Sequence, residues 1–238
     1  MEELSLKQRK VPTDSAIDIL LDGGLEPDII TAFYGPAGSG KTNIALVASV
    51  AVARRNKKVI FIDTEGGFSF ERVKQLSGNL FEEILRRIIL MTPTTFQEQK
   101  KYIFMAYDYV KSNPESIGLI VVDSISMLYR LELGDYEARE VNRELARQLQ
   151  ILAEIARKYN IPVLVTNQVY TPFEEKEKIE IVGGDLIKYW SKCLVELRIV
   201  DLGVREAILR KHRYLPEGRK IRFRITDKGL ELDNTSDI

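Results

Sequence analysis

Apolar residues fall in two rhythms along the chain. Five short runs are apolar almost without a break: residues 29–34, 58–62, 88–91, 118–122 and 163–165. Runs this short, rich in Ile and Val, predict strands buried on both faces. Between them apolar residues recur at helical spacing. Residues 43–54 predict one helix, and 95–111 another, with Phe96, Ile103, Tyr107 and Val110 in phase. Residues 137–159 predict a long amphipathic helix with Val141, Leu145, Leu149, Leu152 and Ile155 on one face. Asn160 and Pro162 end it. Thr13, Asp14 and Ser15 are placed to cap a short helix at 16–21 that Gly23 and Gly24 stop. Strands alternating with helices predict an α/β fold, a mainly parallel sheet with helices on both faces. From residue 194 the rhythm becomes short alternation, over 194–200, 206–211, 221–226 and 229–232. That tail predicts an antiparallel extension of the same sheet. The expected organisation is a short mobile arm at 1–12 and one core domain over 13–238, with no internal repeat or low-complexity linker.

Composition changes this picture little. The chain has 238 residues, 45% hydrophobic and 29% charged, which suits a globular domain. Its formal net charge is zero, so no global field draws nucleic acid and any such contact must come from a local patch. A single cysteine, Cys193, rules out an internal disulfide and a cysteine-based zinc site; an inert buried thiol is its expected role. The first ten residues are polar and charged, unlike a secretory signal. The apolar run 44–53 is too short to cross a bilayer. The expectation is a cytoplasmic protein without a membrane partner.

The chemistry is concentrated where strands end. Gly35-Pro36-Ala37-Gly38-Ser39-Gly40-Lys41-Thr42 fits GxxxxGK[ST] and lies between a predicted strand and a predicted helix. Glycines let backbone N–H groups approach phosphate oxygens, and the helix N-terminus favours anions at the same place. Lys41 can reach β and γ phosphates, and Thr42 can offer its hydroxyl to Mg²⁺. Asn43 follows on the first helical turn and completes the nucleotide-binding set. Asp123 closes the apolar run at 118–122, where a nucleotide Mg²⁺ is held directly or through water. Glu65 stands past the strand at 58–62 in Asp63-Thr64-Glu65-Gly66-Gly67. A carboxylate there can orient and deprotonate an attacking water; a solvated loop acid fits the spacing equally well. Gln168, in Thr166-Asn167-Gln168, can meet a γ-phosphate or its water, or simply sit in a turn.

These motifs, in this order, resemble the RecA-type recombinases. Leu215-Pro216-Glu217-Gly218, followed by Ile225-Thr226-Asp227-Lys228-Gly229-Leu230, resembles the end of the archaeal RadA core. Within that superfamily the chain is most similar to the archaeal RadB group, short paralogues of RadA. The resemblance runs from about residue 12 to the end and implies a RecA-like P-loop core. It also implies a weak, Mg²⁺-dependent ATPase of the DNA-dependent class. ATP and Mg²⁺ are then the cofactors, Glu65 the catalytic carboxylate and Gln168 the γ-phosphate sensor.

The departures from that pattern matter as well. RadA carries an N-terminal helical DNA-binding domain and a Phe-x-x-Ala hook; residues 1–30 show neither. Where the first DNA loop of the recombinases is basic, this chain has Glu132, Asp135, Glu137 and Glu140 among Arg130, Arg139 and Arg143. The second DNA loop should follow Gln168, and it is acidic too, with Tyr170 and Phe173 as candidate base-stacking platforms. Acidic residues there would repel phosphates. The basic signal lies in the tail: Arg205, Arg210, Lys211, His212, Arg213, Arg219, Lys220, Arg222, Arg224 and Lys228. Arg219, Lys220 and Arg222 are candidate DNA contacts, or ordinary solvated strand faces. Lys211 and Arg213 also match a Lys-x-Arg pair that RecA-type ATPases, the KaiC group included, donate to a neighbour's γ-phosphate. His212 lacks metal-ligand company.

The sequence therefore points to an ATP-binding accessory protein of homologous recombination and DNA repair. It would bind single-stranded or junction DNA modestly, repair proteins such as a recombinase or junction resolvase, and copies of itself. The alternative is a KaiC-like signalling ATPase acting on protein partners without DNA. A small-molecule kinase ranks last, for want of a substrate lid.

Overall fold

The computed structural model describes residues 10–133, 137–170 and 180–233. In chain order these residues form α1 (Ile17–Leu20), β1 (Ile30–Gly35), α2 (Lys41–Arg54), β2 (Lys58–Asp63), α3 (Phe70–Ser77), α4 (Phe81–Leu85) and β3 (Ile88–Met91). Then come α5 (Phe96–Ser112), β4 (Ile117–Asp123), α6 (Met127–Glu132), α7 (Ala138–Tyr159), β5 (Val163–Tyr170), β6 (Glu180–Ile181) and α8 (Gly184–Trp190). The chain closes with β7 (Cys193–Asp201), β8 (Val204–Lys211), β9 (Lys220–Thr226) and β10 (Gly229–Leu232).

The strands build one sheet in the order β10-β9-β8-β7-β1-β5-β4-β2-β3, with β6 paired to β5 off that path. From β7 through β1, β5, β4 and β2 to β3 every pair is parallel. From β7 through β8 and β9 to β10 every pair is antiparallel. This is the α/β architecture that the alternation of strands and helices implies, with the antiparallel extension placed at the tail, and it agrees with the RecA-like core that the resemblance implies.

Side chains alternate across each strand, so the sheet makes two cores. On one face Phe33, Phe61, Val121, Leu164 and Val195 pack against α1 and α2. On the other, Ile30, Ala32, Ile60, Val122 and Val165 pack against α5 and α7. Helix α2 is apolar all round and is buried without interruption from Ile44 to Ala53. Helix α7 is amphipathic and buries the row predicted from spacing, Val141, Leu145, Leu149, Leu152 and Ile155. Asn160 ends it in the left-handed conformation at φ 55°. At α5, Thr95 accepts from Glu98 N, while Glu98 reaches back to Thr94 N at 2.7 Å. The Cys193 thiol is buried at the start of β7, and burial pushes its pKa up to about 12.

Several elements escape the hydrophobic pattern. It names nothing between 68 and 87, where α3 and α4 form; each turns only a few apolar residues inward, such as Val73, Leu76 and Ile84. Helices α6 and α8 are six and seven residues long, too short for a period to show. The helix expected at 16–21 shrinks to α1; Ser15 Oγ accepts from Ile17 N at 3.3 Å as expected of a cap, while Thr13 is a donor instead. Asp18, inside the helix, accepts from Thr13 N at 2.8 Å and Thr13 Oγ1 at 2.7 Å. Val11, on the expected arm, exchanges two backbone hydrogen bonds of 2.8 Å with Leu25.

Because Leu149 is fully buried between α7 and the sheet, Leu149→Ala should cost about 2–5 kcal/mol of unfolding free energy. Urea denaturation measures this, and a loss below about 1 kcal/mol would show that α7 is not seated as described.

Candidate functional site

Parallel pairing delivers the carboxyl ends of the central strands to one rim. The registers set which residues meet there: Gly35 pairs with Gln168 across β1 and β5, and Asp63 with Asp123 across β2 and β4. Between β1 and α2 the loop from Gly35 to Gly40 turns over the rim. Gly38 and Gly40 have φ of 76° and 99°, a conformation that favours glycine. Gly35 is required for a different reason: a Cβ there would stand 2.4 Å from the Leu197 carbonyl oxygen.

A cavity of about 510 Å³ opens above this loop. Gly35, Ala37, Gly38, Gly40, Lys41, Thr42 and Asn43 form its floor, and Glu65 and Gln168 one wall. Pro36 and Ser39 lie within the same turn. Lys41 is buried, and its ammonium donates to the Gly35 and Pro36 carbonyl oxygens, each at 2.9 Å. Burial lowers the Lys41 pKa, while Glu65 and Asp123 oppose that shift. Asn43 lines the cavity while its Oδ1 accepts from Arg72 Nε at 2.9 Å, which anchors the side chain.

Asp123 is almost wholly buried. One oxygen, Oδ1, accepts from the Thr166 hydroxyl. The other, Oδ2, is buried without a hydrogen-bond partner. A Cβ built on Gly67 would lie 3.8 Å from this orphan oxygen and 3.4 Å from Thr42 Oγ1, so the two oxygens share one recess. Burial raises the Asp123 pKa, Thr166 and Thr42 lower it, and Glu65 and Asp63 raise it further. An unpartnered buried carboxylate oxygen beside a hydroxyl is a fit for a hard divalent cation such as Mg²⁺.

Glu65 is exposed, and its Oε1 accepts from Gln168 Nε2 at 2.9 Å. The turn that presents it is built by Asp63, whose carboxylate accepts from the N–H groups of Glu65, Gly67 and Phe68 at 3.2, 3.1 and 2.9 Å. Thr64 ties that turn to the end of β4, donating to Ser124 O at 2.7 Å and accepting from Ser124 N at 2.8 Å. Gln168 is fixed by its own backbone, which donates to Ser126 Oγ at 3.3 Å. The structure thus brings Lys41, Thr42, Glu65 and Gln168 to one cavity, with Asp123 buried in the recess beside Thr42.

Arg205 and Ile225 also line that cavity. Arg205 belongs to no motif, and Ile225 opens the motif at 225–230 without being marked there as a site residue. Parity on β8 is the available signal for Arg205, which shares a strand face with the buried Ala207 and Leu209. Arg72, which belongs to no motif, spans from Asn43 to the Thr226 carbonyl at 2.8 Å, tying α2 to the tail.

The remaining tail cations lie elsewhere. Register pairing puts Arg198, Glu206 and Arg222 side by side on adjacent strands. Glu196 binds Arg198 at 2.5 Å and Arg210 at 2.6 Å, while Glu206 lies 3.9 Å from Lys220 and 3.4 Å from Arg222. Arg219 donates to the Ile19 carbonyl at 3.0 Å. Lys211 pairs in register with Leu194, at the end of the sheet opposite the phosphate loop. Its ammonium donates to Ser191 O at 2.9 Å, and Arg213 is gripped by Glu26 and Asp28. His212 is buried against Glu26 at 3.3 Å. Of the two stretches compared above with the recombinases' DNA loops, Asp135 in the first lies outside the described residues, as do residues 171–179 in the second, Phe173 included.

Residues 9–233 match the Rad51 family. The chain is 42% identical to the "DNA repair and recombination protein RadB" of Methanobrevibacter smithii, over 93% of this chain and 95% of that one. It is 43% identical to the protein of the same name from Methanothermobacter thermautotrophicus, over 94% and 96%. A solved structure, "Crystal structure of the RadB recombinase", is similar with a TM-score of 0.79 and 40% identity, covering 94% of this chain and all of that one.

Removing the one ammonium aimed at the loop should weaken nucleotide binding without unfolding the chain. Lys41→Ala is expected to cost at least about 1.5–3 kcal/mol of ATP affinity, the range for a charge-assisted hydrogen bond. Isothermal titration reads it directly, and wild-type affinity in the variant would sink the assignment of the loop.

Proposed function

This chain belongs to the Rad51 family of recombination and repair proteins, and on that premise we propose that it binds ATP with Mg²⁺ and hydrolyses it slowly as an accessory factor. The observation that carries the reading is the Glu65–Gln168 hydrogen bond, 2.9 Å across the mouth of the phosphate loop. It puts a carboxylate and an amide together where a γ-phosphate and its attacking water would stand. Lys41 exchanges the Gly35 and Pro36 carbonyls for β and γ phosphate oxygens. Thr42 and Asp123 would hold Mg²⁺, which when bound neutralises phosphate charge. Glu65 orients the water and takes its proton, and Gln168 senses the γ-phosphate from the other side. Glu65 is open to water rather than shut in an apolar pocket, a setting for slow turnover.

The accessory role rests on charge. By the family resemblance, Glu132, Glu137 and Glu140 fall in the stretch that is basic in the recombinases. The tail cations Arg219, Lys220 and Arg222 offer a substitute path for single-stranded or junction DNA. Its affinity is modest because Glu206 shares two of them. Lys211 and Arg213 can serve a neighbouring copy's γ-phosphate only after releasing Ser191, Glu26 and Asp28. Repair proteins, a recombinase or a junction resolvase among them, are the expected partners in the cytoplasm. The recombination names of the relatives favour this reading over a KaiC-like signalling ATPase.

Glu65→Gln keeps shape and removes the base, so hydrolysis should fall by roughly 10²–10⁴-fold while ATP affinity barely changes. Unchanged turnover would make Glu65 a bystander. For DNA, about three to five tail cations on phosphates give a slope of log K against log salt near −2 to −3.5 for a single strand. Replacing Arg219, Lys220 and Arg222 together should flatten that slope by about two units. Absence of binding at low salt with ATP present would turn the reading toward the signalling ATPase.

A further inference from the structure

Arg205 interrupts an apolar row. On β8 it shares a face with Ala207 and Leu209, both fully buried beneath the sheet's first core. Across the strands it is paired with Ile199 on β7 and Phe223 on β9. That row climbs toward the rim where the phosphate loop turns, and its last member is an arginine. Its Nε and Nη2 both donate to the Gly38 carbonyl, at 3.3 and 3.2 Å. The tail strands also pack on the loop: Ile199 Cδ1 on β7 lies 3.8 Å from where a Gly38 Cβ would be, and Ile225 Cδ1 on β9 3.2 Å from one on Gly40.

The consequence follows from peptide geometry. In a trans peptide the C=O and the next N–H point in opposite directions. Arg205 holds the Gly38 carbonyl and so fixes the plane of the Gly38–Ser39 peptide, whose N–H donates across the loop to Pro36 O at 3.3 Å. That plane helps to set the shape of the turn whose N–H groups a phosphate loop offers its anion. The same guanidinium lines the cavity that Lys41 enters, so it adds a second fixed cation at the rim, from the same chain.

We propose that Arg205 is a positioning residue of the nucleotide site, holding the Gly38–Ser39 peptide for the phosphates and placing positive charge at the cavity rim. The inference rests on the nucleotide-binding reading above and extends it to a strand that carries no phosphate-binding motif. It also makes the β7–β8 hairpin part of the site, so whatever bends that hairpin changes nucleotide affinity.

The test is ATP titration of the full chain with Arg205→Ala, Arg205→Lys and, as a control on the same hairpin, Leu202→Ala, whose side chain is 94% exposed. Arg205→Ala should weaken ATP binding by about 10- to 100-fold at low salt, as expected for a lost charge-assisted bond. Raising the salt should narrow that gap. Arg205→Lys should recover most of the loss, because both arginine bonds go to one oxygen that an ammonium can serve. Leu202→Ala should bind like wild type. All three should melt at the wild-type temperature without nucleotide. Arg205→Ala within about twofold of wild type, or no recovery by lysine, overturns this inference alone. So does an affinity loss that follows a fall in nucleotide-free melting temperature. A wild-type chain that binds no ATP overturns the nucleotide reading and this inference with it.

Discussion

The site depends on the parallel pairing of β1 with β5 and of β2 with β4. Gly35 opposite Gln168 and Asp63 opposite Asp123 are register facts of a buried sheet. A shift of one residue would turn each strand's apolar set to the wrong core. Burial on both faces therefore fixes the register, and the register fixes which polar groups meet at the rim. The cores supply the precision, and the chemistry is carried by the residues at which each strand leaves them.

At that rim, burial and charge are played against each other. Asp123 is shut away with one oxygen bound by Thr166 and the other left unpartnered. Desolvation raises its pKa, a setting that a bound cation would reverse. Lys41 experiences the opposite shift, for the same reason. Each group is uncomfortable alone, and a nucleotide with its cation would supply what both lack. Asp63 shows a different use of the same residue type. It spends its acceptors on three backbone N–H groups and so shapes the turn that presents Glu65.

The antiparallel extension has two faces with two tasks. One face continues the core, with Leu197, Ala207, Leu209 and Phe223, and ends at the phosphate loop in Arg205. The other carries Arg198, Arg210, Lys220 and Arg222 around the half-hidden carboxylates of Glu196 and Glu206. Such pairs contribute little stability each, but they lower the net field that a phosphate backbone would meet. Two carboxylates against four cations leave this face net positive, although the chain as a whole is neutral.

The sequence by itself determined the elements with a long or unbroken hydrophobic signal: the parallel strands, α2, α5 and α7, and the four strands of the tail. It also determined the phosphate loop, because glycine, lysine and threonine at fixed spacing between a strand and a helix leave little else to build. It named Asp123, Glu65 and Gln168 from strand ends, and left open whether the last two act or merely cap turns. Only the tertiary structure put Glu65 within 2.9 Å of Gln168, residues 103 apart in the chain. Only it separated Arg205 from the other tail cations and sent it to Gly38, 167 residues away. Helices such as α3 and α8 were equally hidden, being too short for periodicity and held by packing. The physical reason is common to all of these. Spacing encodes which way a residue faces, but which distant surface it faces is decided by strand order and register, which form only when the sheet does.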